Sequence, residues 1–140
     1  MNAVLLIHAA STWAMAGLIW FVQLVHYPLF ARVGAAGFVE YERLHCRRTT
    51  WVVAPLMLAE LASAAWLALA PSSPAPVAVA WLGLALVVAL WLSTALVQAP
   101  LHGRLSQGYD DRTAQKLTTS NWFRTLAWSV RGIVALACLG

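Results

Sequence analysis

The sequence predicts an all-α membrane protein, a polytopic four-helix bundle, and three observations carry that reading. The chain has 140 residues, 61% hydrophobic and 10% charged, with a mean hydropathy of +0.72. A soluble domain is about 45–50% apolar and about 25% charged. Its apolar residues gather into four stretches of about the 20 residues that cross a bilayer. None of the four alternates over roughly ten residues as a membrane barrel strand does. A chain this short buries only about two-thirds of its surface on folding. Composition therefore excludes an ordinary soluble globule, a disordered chain and a secreted disulfide scaffold.

The first stretch runs from Ala3 to Tyr27 and is expected to stop at Pro28. It has no basic leader and is too long for a cleavable signal peptide, so it is expected to stay as a helix. Trp51 to Ala70 forms the second, with a polar, helix-compatible lead-in from Phe38. A tight turn comes next at Pro71-Ser72-Ser73-Pro74-Ala75-Pro76. The third covers Val77 to Ala99 and is expected to stop at Pro100; the fourth covers Asn121 to Leu139. The expected organisation is one transmembrane domain, 1–140, with a hairpin at 1–70, an outer turn at 71–76 and a hairpin at 77–140.

Charge predicts the orientation. All nine Lys and Arg fall in two zones: Arg32, Arg43, Arg47 and Arg48, then Arg104, Arg112, Lys116, Arg124 and Arg131. Cytoplasmic loops collect such residues. Both termini and the 71–76 turn should face outward, in a bacterial inner (cytoplasmic) membrane, with the 28–50 and 100–120 loops in the cytoplasm. Topology accounts for the basic pI of 9.7, so no nucleic-acid partner is expected; membrane lipids are. Trp20, Trp51, Trp122, Trp66 and Trp81 fit interfacial belts, while Trp13, Trp91 and Trp128 fall deeper, where packing or a site would use them. Cys46 and Cys138 are placed at opposite faces, roughly 30 Å apart. A disulfide needs Cα atoms within about 7 Å, so two free thiols are expected.

The chain also repeats itself. Val25-His26-Tyr27-Pro28-Leu29-Phe30-Ala31-Arg32 and Val97-Gln98-Ala99-Pro100-Leu101-His102-Gly103-Arg104 share Val, Pro, Leu and Arg at an offset of 72. Thr50-Trp51 answers Asn121-Trp122 at an offset of 71, which also pairs Glu60 with Arg131. The expectation is two parallel-repeat hairpins about a pseudo-twofold axis along the membrane normal. Three pairs break that symmetry: His26 against Gln98, Phe30 against His102 and Glu60 against Arg131.

At about 100° per residue, each helix carries one polar stripe. His8, Thr12, Gln23 and His26 share the first; Glu42, His45, Thr49 and Glu60 the second. Trp91, Thr94, Gln98 and His102 form the third, and Asn121, Arg124, Trp128 and Arg131 the fourth. Unpartnered polar groups are costly in hydrocarbon, so the stripes should face inward. A buried polar site is expected from Glu60, Arg131, Gln23, Gln98, Asn121 and Arg124. Within it, Glu60 and Arg131 reach mid-bilayer and read either as an ion pair pinning two helices or as an anion clamp or proton relay. A second cluster, His26, His45, His102 and Glu42, is expected near the cytoplasmic side as a cofactor site. Glu42-x-x-His45 has the spacing of bundle metal sites, but the carboxylates of a di-iron centre are missing. A single transition metal on His26, His45 and His102 and a haem on two of the histidines both stay open. No phosphate loop, nucleophile elbow, C-x-x-C or H-E-x-x-H is present.

The segments Trp20–Phe30, Pro55–Glu60 and Asn121–Thr125 resemble an uncharacterised family of small bacterial four-helix integral membrane proteins, over nearly the whole chain. That likeness implies the fold and no activity. His8, Trp13, Ala16-Gly17-Leu18 and Tyr41-Glu42-Arg43 are similar, more weakly, to the four-helix membrane protoporphyrinogen oxidases, which bind haem. Their third helix carries a charge that this chain lacks. Three function classes fit these features. One is a membrane oxidoreductase or cofactor-binding protein using haem, a metal or a quinone. Another is a non-catalytic accessory or assembly subunit of a larger membrane complex. The last is a small transporter acting as a homo-oligomer.

Overall fold

The computed structural model describes residues 2–139, which are mostly helical, with no strand among them. In chain order they form α1 (Ala3–Phe21), α2 (Ala35–Leu69), α3 (Val77–Ser93), α4 (Ala99–Leu105) and α5 (Asp111–Ala137). A π-helical turn, Val22–His26, and a 3-10 segment, Tyr27–Arg32, prolong α1; another π-helical turn, Thr94–Gln98, joins α3 to α4. Four rods result, and they close a ring: α1 against α2, α2 against α3, α3 against α5, and α5 against α1.

Three rods, Ala3–Arg32, Ala35–Leu69 and Val77–Leu105, are long and apolar enough to cross a membrane. The fourth rod, α5, falls short of that hydropathy because Asn121, Arg124, Thr125 and Arg131 lie along it. All four are buried, whereas Phe123, Leu126, Val130, Ile133 and Leu136 are exposed on the same helix. The polar side of α5 thus faces the bundle and its greasy side faces out.

Two expected stops are not stops. The rods pass through Pro28 and Pro100. A proline cannot donate to the ladder, and its ring crowds the carbonyl four residues back. Each π-helical turn ends just ahead of its proline. There the ladder widens, with Tyr27 N–H bonded to Val22 O and Ala99 N–H to Thr94 O. The widened turn separates the proline ring from the carbonyl it would strike. Helix α2 starts at Ala35, earlier than the expected lead-in. Gly34 precedes it at φ 86°, a left-handed conformation that glycine adopts without strain. At 1.5 Å per residue its 35 residues extend about 50 Å, well past a core of about 30 Å. Helix α5 starts at Asp111, ten residues before the expected apolar stretch, because Asp110 caps it: its carboxylate accepts from Thr113 N at 2.8 Å and Thr113 Oγ1 at 2.5 Å.

The main core joins Met15, Ile19, Phe30, Phe38, Leu105 and Trp128. A smaller cluster, Leu5, Leu67, Ala75, Ala80 and Cys138, gathers the chain near both termini around the proline-rich turn. Both cysteines are free thiols.

Candidate functional site

The widened turn at 22–26 and the tight 3-10 turn after it set the directions of His26 and Tyr27, while α2 and α4 bring up the partners. His26 Nε2 lies 2.8 Å from His45 Nδ1, which also meets Thr49 Oγ1 at 3.1 Å. Next to this pair stands a second chain. His102 Nδ1 lies 2.5 Å from Glu42 Oε1, and Tyr27 Oη 2.9 Å from His102 Nε2. The Cys46 thiol donates to Glu42 Oε1 at 3.5 Å. The His45 and His102 rings are 5.4 Å apart between centroids, and Phe30 packs edge-on against His26 and His45. His26, His45, His102 and Glu42 thus converge.

Their arrangement differs from a three-histidine set. The compact group of metal-ligating atoms is Glu42, Cys46 and His102, whose donor atoms lie within 4.8 Å of one another. His26 and His45 bond to each other instead. Two imidazoles on opposite faces of one iron stand about 4 Å apart, twice a metal–nitrogen bond of about 2 Å, so the pair at 2.8 Å is too close to bracket one. Glu42 is fully buried, and its Oε2 has no partner.

Beside this cluster the four rods line a half-open, mostly apolar cavity of about 480 Å³. Its walls include Leu18 and Ile19 of α1, Val53 and Met57 of α2, Trp91 of α3 and Arg124 of α5, and His45, Cys46 and His102 also line it. Three of its wall residues hold a buried polar atom with no partner: Trp91 Nε1, Gln98 Oε1 and Arg124 Nε. Arg124 is buried, and no carboxylate reaches it among the described residues. It is held by Asn121 Oδ1, which accepts from Nη1 at 3.1 Å, and by the Trp128 ring 5.1 Å away. Asn121 in turn donates to Gln23 Oε1 at 3.0 Å, and Gln23 donates to Thr118 O at 3.1 Å. Gln98 Nε2 donates to Ser120 Oγ at 2.9 Å. Gln23 and Asn121 therefore position the cationic wall, while Gln98 and Arg124 border the space.

Glu60 and Arg131 meet, as an ion pair away from the cavity. Arg131 Nε donates to Glu60 Oε1 at 3.2 Å, and Trp128 Nε1 to Glu60 Oε2 at 2.9 Å. The other guanidinium nitrogens reach Gly83 O and Thr12 Oγ1. Both carboxylate oxygens and all three guanidinium nitrogens are engaged, and both residues are buried. This is a strut between α2 and α5. His8 Nδ1 bonds Ser63 Oγ at 3.0 Å nearby.

Two contributors escaped the sequence reading. Cys46 registered only as a free thiol, although it lies one helical turn beyond Glu42. Tyr27, buried just past the π-helical turn, bonds to His102. Trp13, expected to serve packing or a site, is half-exposed and packs on Gly132, outside the cluster. No family model, curated protein or solved structure matches this chain, so the side-chain arrangement alone carries the functional argument.

Proposed function

We propose that this is a membrane-embedded binding protein for a lipid-soluble cofactor of the quinone class, seated in the cavity beside the histidine cluster. The carrying observation is three buried hydrogen-bonding atoms without a partner in residues that line this mostly apolar cavity: two donors, Trp91 Nε1 and Arg124 Nε, and one acceptor, Gln98 Oε1. A quinone presents two carbonyl oxygens to donors, and its quinol offers O–H groups to an acceptor. The volume suits a ligand ring, since small-molecule sites run about 300–1,000 Å³. His102, bonded to Glu42 and Tyr27, lines the same cavity and can hold or pass the protons that accompany quinone reduction.

The fourth rod crosses the membrane in this reading, because its apolar side faces out and its polar side faces the bundle. The two hairpins are parallel repeats. The widened turns at Val22–His26 and Thr94–Gln98 recur at an offset of 72, and two symmetry-breaking pairs touch, Glu60 with Arg131 and Phe30 with His102. The basic end faces the cytoplasm of a bacterial inner membrane, and both termini face out.

Binding is tested by titrating the detergent-purified protein with a short-tailed benzoquinone and reading tryptophan fluorescence. Saturable quenching is expected. A hydrogen bond to a charged group contributes about 1.5–3 kcal/mol, so Arg124→Gln should weaken binding about tenfold or more. Trp91→Phe should also weaken it, with binding tracked by ligand partition rather than quenching. No saturation, or two variants that bind like the parent, overturns the reading.

A further inference from the structure

We infer that Glu42, Cys46 and His102 form a divalent-metal site of the zinc type in the wall of the cavity. Unlike the three-histidine set expected from sequence, it requires the cysteine. The inference does not rest on the quinone reading.

Three features carry it. Geometry is the first. The three donor atoms lie within 4.8 Å of one another, and Cys46 Sγ is 3.5 Å from Glu42 Oε1. Thiolate and carboxylate bonds of about 2.3 and 2.1 Å at tetrahedral angles place those atoms about 3.6 Å apart. His102 Nδ1, at 2.5 Å from Glu42, would retreat by under about 1 Å to admit an ion.

Charge is the second. Glu42 is fully buried, its Oε2 has no partner, and its only ion-pair partner among the described residues is His102. A buried carboxylate held only by an imidazole and a thiol, both on one oxygen, is poorly compensated. Glu42 carboxylate and Cys46 thiolate together cancel a divalent charge, leaving a neutral centre in a low-dielectric place.

The third is the outer support. Ligating histidines are held through their second nitrogen. His102 meets this condition, because Nδ1 faces Glu42 while Nε2 faces Tyr27 Oη at 2.9 Å. His26 and His45 spend facing nitrogens on each other.

On entry the ion displaces the thiol proton of Cys46, which leaves to solvent, so uptake is favoured as pH rises. His102 ligates as the neutral imidazole through Nδ1, with its one proton on Nε2 toward Tyr27 Oη. Three protein ligands leave a fourth position open, as in catalytic zinc sites, and Cys46 and His102 both border the cavity.

The test loads the detergent-purified full chain with Co²⁺ alone. One equivalent and a thiolate-to-cobalt charge-transfer band in the near ultraviolet are expected. Cys46→Ser should abolish the band. Tyr27→Phe should keep it and weaken affinity about 10–100-fold. His26→Ala and His45→Ala should leave band and affinity unchanged. A band that survives Cys46→Ser, or that disappears with His26→Ala or His45→Ala, overturns the assignment in favour of the histidine set. In the unmutated protein, Zn²⁺ should protect Cys46 from maleimide; cobalt that does not bind, or zinc that does not protect, also overturns it. Quinone quenching is measured on chelator-treated protein, so either proposal can fail while the other stands.

Discussion

Glu60 and Arg131 show what a buried charge requires. Each is stable only while the other neutralises it, and removing one partner of a buried pair costs roughly 3–5 kcal/mol. Glu60→Gln and Arg131→Gln are each expected to lower stability in detergent by that order, and the Glu60→Arg/Arg131→Glu exchange to recover part of it. Thermal unfolding checks this, and two single variants as stable as the parent would refute the strut. Asp110 is the opposite case, an exposed charge outside the spanning rods. The hydroxyl and backbone N–H of Thr113 hold its carboxyl below the ordinary range. A lowered folded value means that the capping contribution is present above the unfolded value and fades as pH falls through the folded one. The parent should therefore unfold at a higher temperature than Asp110→Ala at neutral pH, with the gap narrowing in acid; a gap that ignores pH would count against the charge. Residue types and depth made Glu60 with Arg131 legible beforehand. Nothing in the sequence assigned Trp128 Nε1 to Glu60, because that bond depends on how α2 and α5 are turned.

Helices were legible where apolar runs were long, and their ends were not. Pro28 and Pro100 look like terminators because a proline breaks the ordinary ladder. The chain answers with one extra residue per turn, and no hydrophobic pattern announces a π-helical turn. Such turns occur frequently at functional sites, and both here lead into the cluster: His26 and Tyr27 lie at the end of one, Gln98 and His102 at or just past the end of the other. Inserting one Ala after Leu96, an exposed residue within the second turn, adds a residue beyond the one the wide turn absorbs and would rotate α4 by about 100°. His102 should then leave Glu42 and Gln98 the cavity wall. Circular dichroism should show helix content maintained while benzoquinone binding falls, and Leu96→Ala should bind as the parent does. Binding that survives the insertion would remove the role of this register in building the site.

Across the whole molecule, sequence and packing sort the chain into two ends. Glu42 meets His102, which brings the neighbouring Arg43, Arg47 and Arg48 to the same end as Arg104. Leu5, Ala75 and Cys138 cluster at the other, where no Lys or Arg falls within the 71–76 turn. The basic loops were plain in the sequence. Connectivity alone was enough to bring His26 from α1's extension, Glu42 from α2 and His102 from α4 to one depth. What connectivity could not supply was the rotation that gathered Cys46 with Glu42 and His102 and left His26 and His45 bonded to each other. The two-ended charge makes a directional prediction, because a bilayer with an insertion bias for Lys and Arg retains them on the cytoplasmic side. Ser72 is exposed in the proline-rich turn. With Cys46 and Cys138 replaced by Ser, a Ser72→Cys variant should react with a membrane-impermeant maleimide added to intact spheroplasts. Reaction only after the membrane is opened would reverse the orientation. The cavity and the proposed metal site would then lie toward the outer face, and their protons and ions would exchange with the outside.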